Sequence, residues 1–283
     1  MKLSIITVCL NEKNIERTCK SIVSQTFADF EWIVIDGKSN RNTLNKIKKY
    51  KNKISVFISE PDAGIYDAMN KGILSATGDY ISFMNAGDTY FSKYALEKVF
   101  SKPKDQDIIY GDVNIIKNRK SIIEKNPPFI TKDFFLNGII NHQSYFIKRE
   151  LFFIYGLYDL KYKVASDYDK LLLWFTNGCV FKYVSEIVAK HYRNGLSSNK
   201  NLVGKERKEI IKKYFSSYEQ KHLQTKYKIK FCGLNLLSIK EIFPKTYVKL
   251  FGFITLLKFK RSLIYLFGLN FLPIFKLKGN INE

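Results

Sequence analysis

The sequence predicts an α/β fold built around a parallel sheet, and three observations carry that expectation. Over the first hundred residues, apolar β-rich runs alternate with amphipathic segments, with about 20–25 residues between strands, as βαβ units require. The runs are near-continuously apolar, the pattern of strands covered on both faces. Each run ends in a polar turn holding an acid or an amide.

The elements follow in order. "KLSIITV" is the first strand. Asn11 is placed to cap the next helix, whose apolar face is Ile15, Cys19, Ile22 and Val23. "FEWIVID" is the second strand, stopped by Gly37, and a Lys-rich helix with Leu44 and Ile47 follows. "ISVFIS", the helix "GIYDAMNKGILSA", the strand "YISFM" and the helix "SKYALEKVF" complete the first half. After residue 105 the rhythm changes. "DIIYGDVNII" and "KSIIEK" suggest an antiparallel pair around "KNRK". "TKDFFLNGI" reads as a helix and "HQSYFIK" as a strand. "DYDKLLLWFTNG" is a helix closing at Gly178, and "CVFKYVSEIVAKHYR" is extended. From Val203 a basic helical region begins.

Composition narrows the class. At 283 residues with 46% hydrophobic content, the chain is long enough for a full core. The charge is uneven. Residues 199–283 hold 18 Lys/Arg against 5 Asp/Glu, a net of +13 out of +21 for the whole chain. Such a tail suits an anionic partner. Cys9, Cys19, Cys179 and Cys232 show no metal spacing and read as reduced core residues of a cytoplasmic protein. "LSIITVCL" lacks a cleavage site and reads as a buried strand, not a leader. The apolar clusters 250–257 and 262–275 fall short of a membrane span and are parted by Lys258, Lys260 and Arg261.

Open parallel sheets bind ligands at the carboxyl ends of their strands. Those ends carry Thr7 and Asn11, then Asp36, then Glu60 and Asp62, then Asn85 and Asp88. One such turn is ordinary; four in succession describe a site. Asp36 suits a base N–H or a ribose hydroxyl. Asp88 suits Mg²⁺ or Mn²⁺, hard cations that take oxygen ligands and leave positions for a diphosphate.

"SIITVCLNE", "WIVIDGKSN", "SEPDAGIYDAMNKGILSATGDYISFMNAGDTY", "NHQSYFIKRELF" and "ASDYDKLLLWF" together resemble the GT-A-fold family 2 glycosyltransferases. The likeness is strongest to the capsule, O-antigen and exopolysaccharide (colanic-acid-type) sugar transferases, and covers roughly residues 1–200. It implies a GT-A (Rossmann-like) α/β domain with a mixed central sheet. Residues 1–104 would form its nucleotide-sugar half and 105–200 its acceptor half, with 201–283 as a basic amphipathic helical extension. It implies inverting transfer from a UDP-, GDP- or dTDP-sugar. Thr7, Asn11 and Asp36 match positions that cradle the nucleoside; Asp62, Lys71 and Asn85 match donor-side positions. Asp88 matches the last acid of the D-x-D-like metal motif, and Asp167 matches the catalytic base. Asn85 and Gly87 stand where the family often carries further acids.

Each assignment has a plainer alternative. Asp88 is otherwise a turn acid or a cap, Asp36 an Asx residue, Asp62 an N-cap and Lys71 a solvated lysine. His142 and Gln143 are candidates for the acceptor pocket, and His191 for a further metal contact. Arg193 and Ser197 lie on a loop suited to closing over the donor. The tail fits helices lying on an anionic membrane surface, at the inner face, where a polyprenyl-diphosphate-linked saccharide would be the acceptor. Packing on the core or on a second copy in a homodimer is the alternative. No nucleic-acid module accompanies the charge, and no glycine-rich phosphate loop follows the first strand. A non-catalytic scaffold relative is the remaining reading.

Overall fold

The structure is a computed structural model. It describes residues 2–101, 105–118, 120–192 and 200–224, and short strands between 228 and 266, with side chains described as far as Ser216. β1 (Leu3–Cys9) is buried along its whole length. Alternate side chains of a strand point to opposite faces, so both of its faces must be covered. Leu3 and Ile5 share a core with Ile15, Cys19 and Ile22 of α1 (Ile15–Val23), Ile47 of α2 (Arg41–Lys48) and Leu96 of α4 (Ala95–Phe100). The opposite face, through Ile6, meets α3 (Ile65–Ser75).

β2 (Phe30–Asp36) and β4 (Tyr80–Phe83) flank β1 in parallel, and β3 (Val56–Ser59) pairs with β2 in parallel. The chain then completes a mixed sheet. β6 (Ile108–Lys117) pairs antiparallel with β7 (Lys120–Glu124) and with β8 (Tyr145–Lys148), and parallel with β9 (Phe181–Tyr192). β8 returns antiparallel to β4. β5 (Thr89–Tyr90) pairs antiparallel with β9. Among the described residues nine strands form this sheet, in the order β3-β2-β1-β4-β8-β6-β9-β5, with β7 beside β6. α5 (Lys132–Asn137), α6 (Glu150–Ile154) and α7 (Ser166–Thr176) serve the second half. Gly178 follows α7 with φ 78°, as a helix stop requires.

Three expectations need correction. Asn11 does not cap α1: it sits in the left-handed region at φ 54°, and Asn14 is the residue before the helix. Its side chain is instead engaged by Asn40, described below. Second, α8 (Lys200–Gln224), which begins at the expected division, stays with the first unit as far as Lys212. The compact units are Met1–Lys212 and Lys213–Glu283, and the boundary falls inside α8. Ile210 of that helix is fully buried. Third, the described stretches beyond α8 are not helices. They are short antiparallel strand pairs, Lys228–Phe231 with Leu234–Ser238, Lys249–Leu250 with Ile254–Thr255, and Leu257–Lys260 with Leu263–Leu266. The alternation in "LKFK" is a strand period, which the count of apolar residues alone obscured. Much of 250–257 and 262–275, together with Arg193 and Ser197, lies outside the described residues. Among the described residues no helix is long and apolar enough to cross a membrane.

Candidate active site

Strand register builds the first part of the site. Cys9, Asp36 and Ser59 are aligned across β1, β2 and β3. The middle residue therefore receives from both sides: Cys9 Sγ donates to Asp36 Oδ1 (3.3 Å) and Ser59 Oγ to Oδ2 (2.6 Å). The Ser39 amide adds a third bond to Oδ2 (3.0 Å). Burial and the Asp36 carboxylate push the Cys9 thiol far above its usual range, so it stays a donor. Asn11 joins the same turn. Its amide donates to Ser39 Oγ (2.8 Å) and its Oδ1 accepts from the Asn40 amide (2.8 Å). Thr7 does not reach this edge with its side chain. It is fully buried, and its hydroxyl accepts from Trp32 Nε1 (3.0 Å).

Asp62 stands over Gly37. A Cβ at Gly37 would lie 2.9 Å from Asp62 Oδ2, so the Asp62 carboxylate rests directly on the glycine at the end of β2. Lys71 holds that turn in place. Its ammonium lies 2.7 Å from Asp62, 2.8 Å from Glu60 and 3.6 Å from Asp67. Hydrogen bonds to Asp62 and Glu60 raise its pKa, and it stays charged. Lys71 is thus not merely solvated; three carboxylates surround its ammonium. Asp79 is structural, accepting from the Lys2 amide (2.9 Å).

The "NAGD" turn is gripped from α1. Thr18 Oγ1 accepts from the Gly87 amide (2.8 Å) and donates to the Asp88 carbonyl (2.7 Å). Arg17 donates to the Gly87 carbonyl and covers the Tyr192 ring at 3.5 Å. Because β5 pairs with β9, the end of β9 comes beside Asp88. The Tyr192 amide donates to Asp88 Oδ1 (2.8 Å), and His191 Nδ1 lies 3.2 Å from both carboxylate oxygens. Gln143 Nε2 donates to Asp88 Oδ2 (2.5 Å) and lies 2.8 Å from His191 Nδ1.

Asp167 opens α7 and is nearly buried. Its Oδ1 accepts from the Tyr66 hydroxyl (2.9 Å) and from the Tyr168 amide (2.9 Å). Its Oδ2 lies 3.4 Å from His142 Nδ1. The other ring nitrogen, Nε2, meets Asn85 Nδ2 at 3.0 Å. With the Asn85 amide donating, Nε2 accepts and the ring proton sits on Nδ1, toward Asp167. The 3₁₀ turn His142–Ser144 thus ties both acids together: His142 reaches Asp167 and Gln143 reaches Asp88. Both side chains were expected to line an acceptor pocket; here both His142 ring nitrogens and Gln143 Nε2 have neighbours within the protein.

The metal expectation can be tested on the donor set. Among the described residues no group of three His, Cys, Asp or Glu side chains is placed to hold an ion. The residues at the turn nevertheless fit a hard cation in kind. Asp88 offers a carboxylate and His191 an imidazole. Asn85 Oδ1 and Gln143 Oε1 are buried carbonyl oxygens without hydrogen-bond partners. Each is an acceptor with spare capacity, the kind of oxygen a hard cation or a water takes.

Several contributors escaped the sequence reading. Arg17, Thr18 and Tyr66 lie on helix faces where only tertiary contact reveals their use. Glu206 and Arg207 were counted with a basic tail. Instead, Glu206 accepts from the amides of Lys163 (2.9 Å) and Val164 (3.0 Å), the loop leading to Asp167. Arg207 stacks on Tyr168 at 4.5 Å and donates to the Gly138 carbonyl (2.8 Å).

Similar proteins agree with this architecture. The family model "Glycosyl transferase family 2" matches residues 4–156. A PGL/p-HBAD biosynthesis glycosyltransferase of Mycobacterium bovis is 32% identical over 211 residues, covering 72% of this chain and 81% of that one. An uncharacterized glycosyltransferase of Methanocaldococcus jannaschii is 28% identical, covering 89% of each. The structure of S. aureus TarS 1-349 in complex with UDP-GlcNAc aligns with TM-score 0.59 at 20% identity. That alignment covers 71% of this chain and 61% of the TarS chain, so this protein spans less than two thirds of it. The mannosyltransferase PcManGT from Pyrobaculum calidifontis, in complex with GDP-Man and Mn²⁺, aligns with TM-score 0.53 at 16% identity, over 79% and 64% of the two chains. These structural likenesses show the fold. The extent of the family match and the identity to the mycobacterial enzyme show the rest: the chain belongs to glycosyl transferase family 2.

Proposed function

We propose that this chain is an inverting glycosyltransferase that moves a sugar from a nucleoside-diphosphate sugar to a saccharide, with Asp167 as general base. The observation that supports this most is the 3₁₀ turn whose adjacent residues touch Asp167 and Asp88. It holds a base candidate and a diphosphate-side acid in one network. In the step, the acceptor hydroxyl gives its proton to Asp167 Oδ2 as its oxygen bonds to the anomeric carbon. The bond from that carbon to the diphosphate breaks, and the nucleoside diphosphate leaves with the electron pair. A base acting in concert with bond formation contributes about 10²–10⁴-fold. An α-linked donor then gives a β-linked product.

Asp88 and His191 would hold Mg²⁺ or Mn²⁺, which would neutralise charge on the leaving diphosphate. Asp36, Asn11 and Asp62 form the nucleoside edge. UDP-GlcNAc in one structural neighbour and GDP-Man in another support a UDP- or GDP-linked donor. We place the acceptor on a polyprenyl diphosphate in bacterial surface polysaccharide synthesis, with the basic tail against the inner face of an anionic membrane. The excess of 18 Lys/Arg over 5 Asp/Glu in residues 199–283 supports that placement.

The test is thermal stabilisation by UDP, GDP, dTDP and CDP, with and without Mn²⁺, in wild type and Asp88→Ala. A ligand that binds only the folded state raises Tm by mass action. The expected result is a shift with one nucleotide that needs Mn²⁺ and disappears in the variant. A shift indifferent to Mn²⁺ removes the metal assignment. No shift in folded protein favours a non-catalytic scaffold, a reading that Asn85 and Gly87 in place of acids support.

A further inference from the structure

Asp167 is held asymmetrically. Oδ1 accepts two hydrogen bonds, from the Tyr66 hydroxyl and the Tyr168 amide, both at 2.9 Å. Among the described residues, the polar neighbour of Oδ2 is His142 Nδ1, at 3.4 Å. The Tyr168 amide is the base's own helix. Tyr66 is different: it comes from α3, in the donor half, 101 residues away in the chain. Its ring is fixed by burial on the inner face of α3 and by Tyr158, at 5.3 Å between ring centroids.

We propose that Tyr66 is the positioning residue for the base: its hydroxyl locks Oδ1 and leaves Oδ2 as the atom that takes the acceptor's proton. The proposal rests on the reading of Asp167 as general base. Burial and the adjacent carboxylate hold the Tyr66 hydroxyl well above the usual range, so it remains a donor throughout the working pH. The other titratable groups that bear on Asp167 are His142 from the 3₁₀ turn, Tyr145 from β8 and Tyr158 from the loop before α7. None of these replaces the bond that Tyr66 makes to Oδ1.

Tyr66→Phe removes one oxygen and keeps the ring. The first readout needs no substrate: the carboxyl ¹³C resonance of Asp167 in aspartate-labelled protein, assigned with Asp167→Asn. The expected result is a displaced resonance in the variant, because the hydroxyl donor to Oδ1 has gone. An unchanged resonance overturns the proposal. The second readout is nucleoside-diphosphate release from UDP-glucose, UDP-GlcNAc and GDP-mannose. kcat should fall about tenfold, the size of one hydrogen bond to a charged group, while donor KM stays put. In an Asp167→Asn background, Tyr66→Phe should add nothing, because a residue acting through another has no separate effect. An additive loss there marks Tyr66 as merely structural and overturns the proposal. Wild-type release rates in Asp167→Asn alone would overturn the base assignment itself, and with it the proposal, even where the ¹³C resonance of Asp167 moves in Tyr66→Phe as expected.

Discussion

Asp36 and Asp167 are both buried aspartates at the ends of elements, and they are held in opposite ways. Asp36 takes its bonds from Cys9, Ser39 and Ser59, residues no more than 27 positions away that strand register or the next turn delivers. Asp167 takes its side-chain bond from Tyr66, 101 positions away. Asp88 is similar, with Gln143 at 55 and His191 at 103. In the first half of the sheet, adjoining βα units supply the partners of Asp36. The partners of Asp88 come from β9 and from the turn before β8, both in the second half. Lesions in the first half should act on stability or affinity, and lesions in the second on rate.

The largest effect should come from Asp167→Asn. A lost general base costs about a thousandfold in kcat, with donor KM little changed. Steady-state kinetics on the nucleotide sugar identified by thermal shift checks it. The division between the halves breaks if Asp62→Asn costs as much in kcat. Next comes Gly111→Ala, which tests how tightly β6 and β9 approach. A Cβ there would lie 2.5 Å from the Glu186 carbonyl, a backbone atom that cannot turn away. About 3 kcal/mol of stability should be lost, seen as a lower urea midpoint, together with reduced nucleotide-sugar turnover.

Glu31 tests the donor half by pH. It accepts from Ser4, Thr77 and Gly78 and pairs with Lys2. Burial alone would raise its pKa, but these bonds hold it down to about 2 from 4.5. A depressed folded-state pKa means that its contribution is fully present above pH 4.5 and is lost as the pH falls through 2. In Glu31→Gln, about 2 kcal/mol of stability should be missing at pH 6, and the gap to wild type should close toward pH 2. Urea unfolding at several pH values measures this.

Glu206→Gln should have a smaller effect, about 1–2 kcal/mol, from weakened bonds to the Lys163 and Val164 amides. It sharpens the comparison because Glu206 lies outside the expected catalytic span yet holds the loop before Asp167. The expected signature is a fall in kcat larger than any rise in donor KM. The smallest effect should be that of Asp62→Asn, a few-fold change in nucleotide affinity read by the same thermal shifts. Its partner Lys71 keeps Glu60 and Asp67.

Much of this architecture was legible beforehand. The runs that became β1 to β4 are apolar, long enough and punctuated by turn residues, so their period and ends could be read directly. The β6–β7 pair and the stop of α7 at Gly178 were equally plain. β5 was not, because two residues of strand carry no period. Asn11 was misjudged as a cap because a side-chain amide in a turn and one at a helix start look alike in sequence. Its left-handed backbone and its bond from Asn40 are products of the neighbouring turn.

By itself, the sequence determined which residues stand at the carboxyl ends of the parallel strands. Side-chain alternation and strand spacing are local properties, and Asp36, Asp62, Asn85 and Asp88 follow from them. Tertiary structure alone decided what those acids touch. That Gln143 would reach Asp88, that His142 would lie between Asn85 and Asp167, and that Tyr66 would donate to Asp167 depends on β8, β9 and α7 packing back on the first half and on the 3₁₀ turn that leads into β8. Contacts across a hundred residues are set by the packing of whole elements. No periodicity within a single element encodes them.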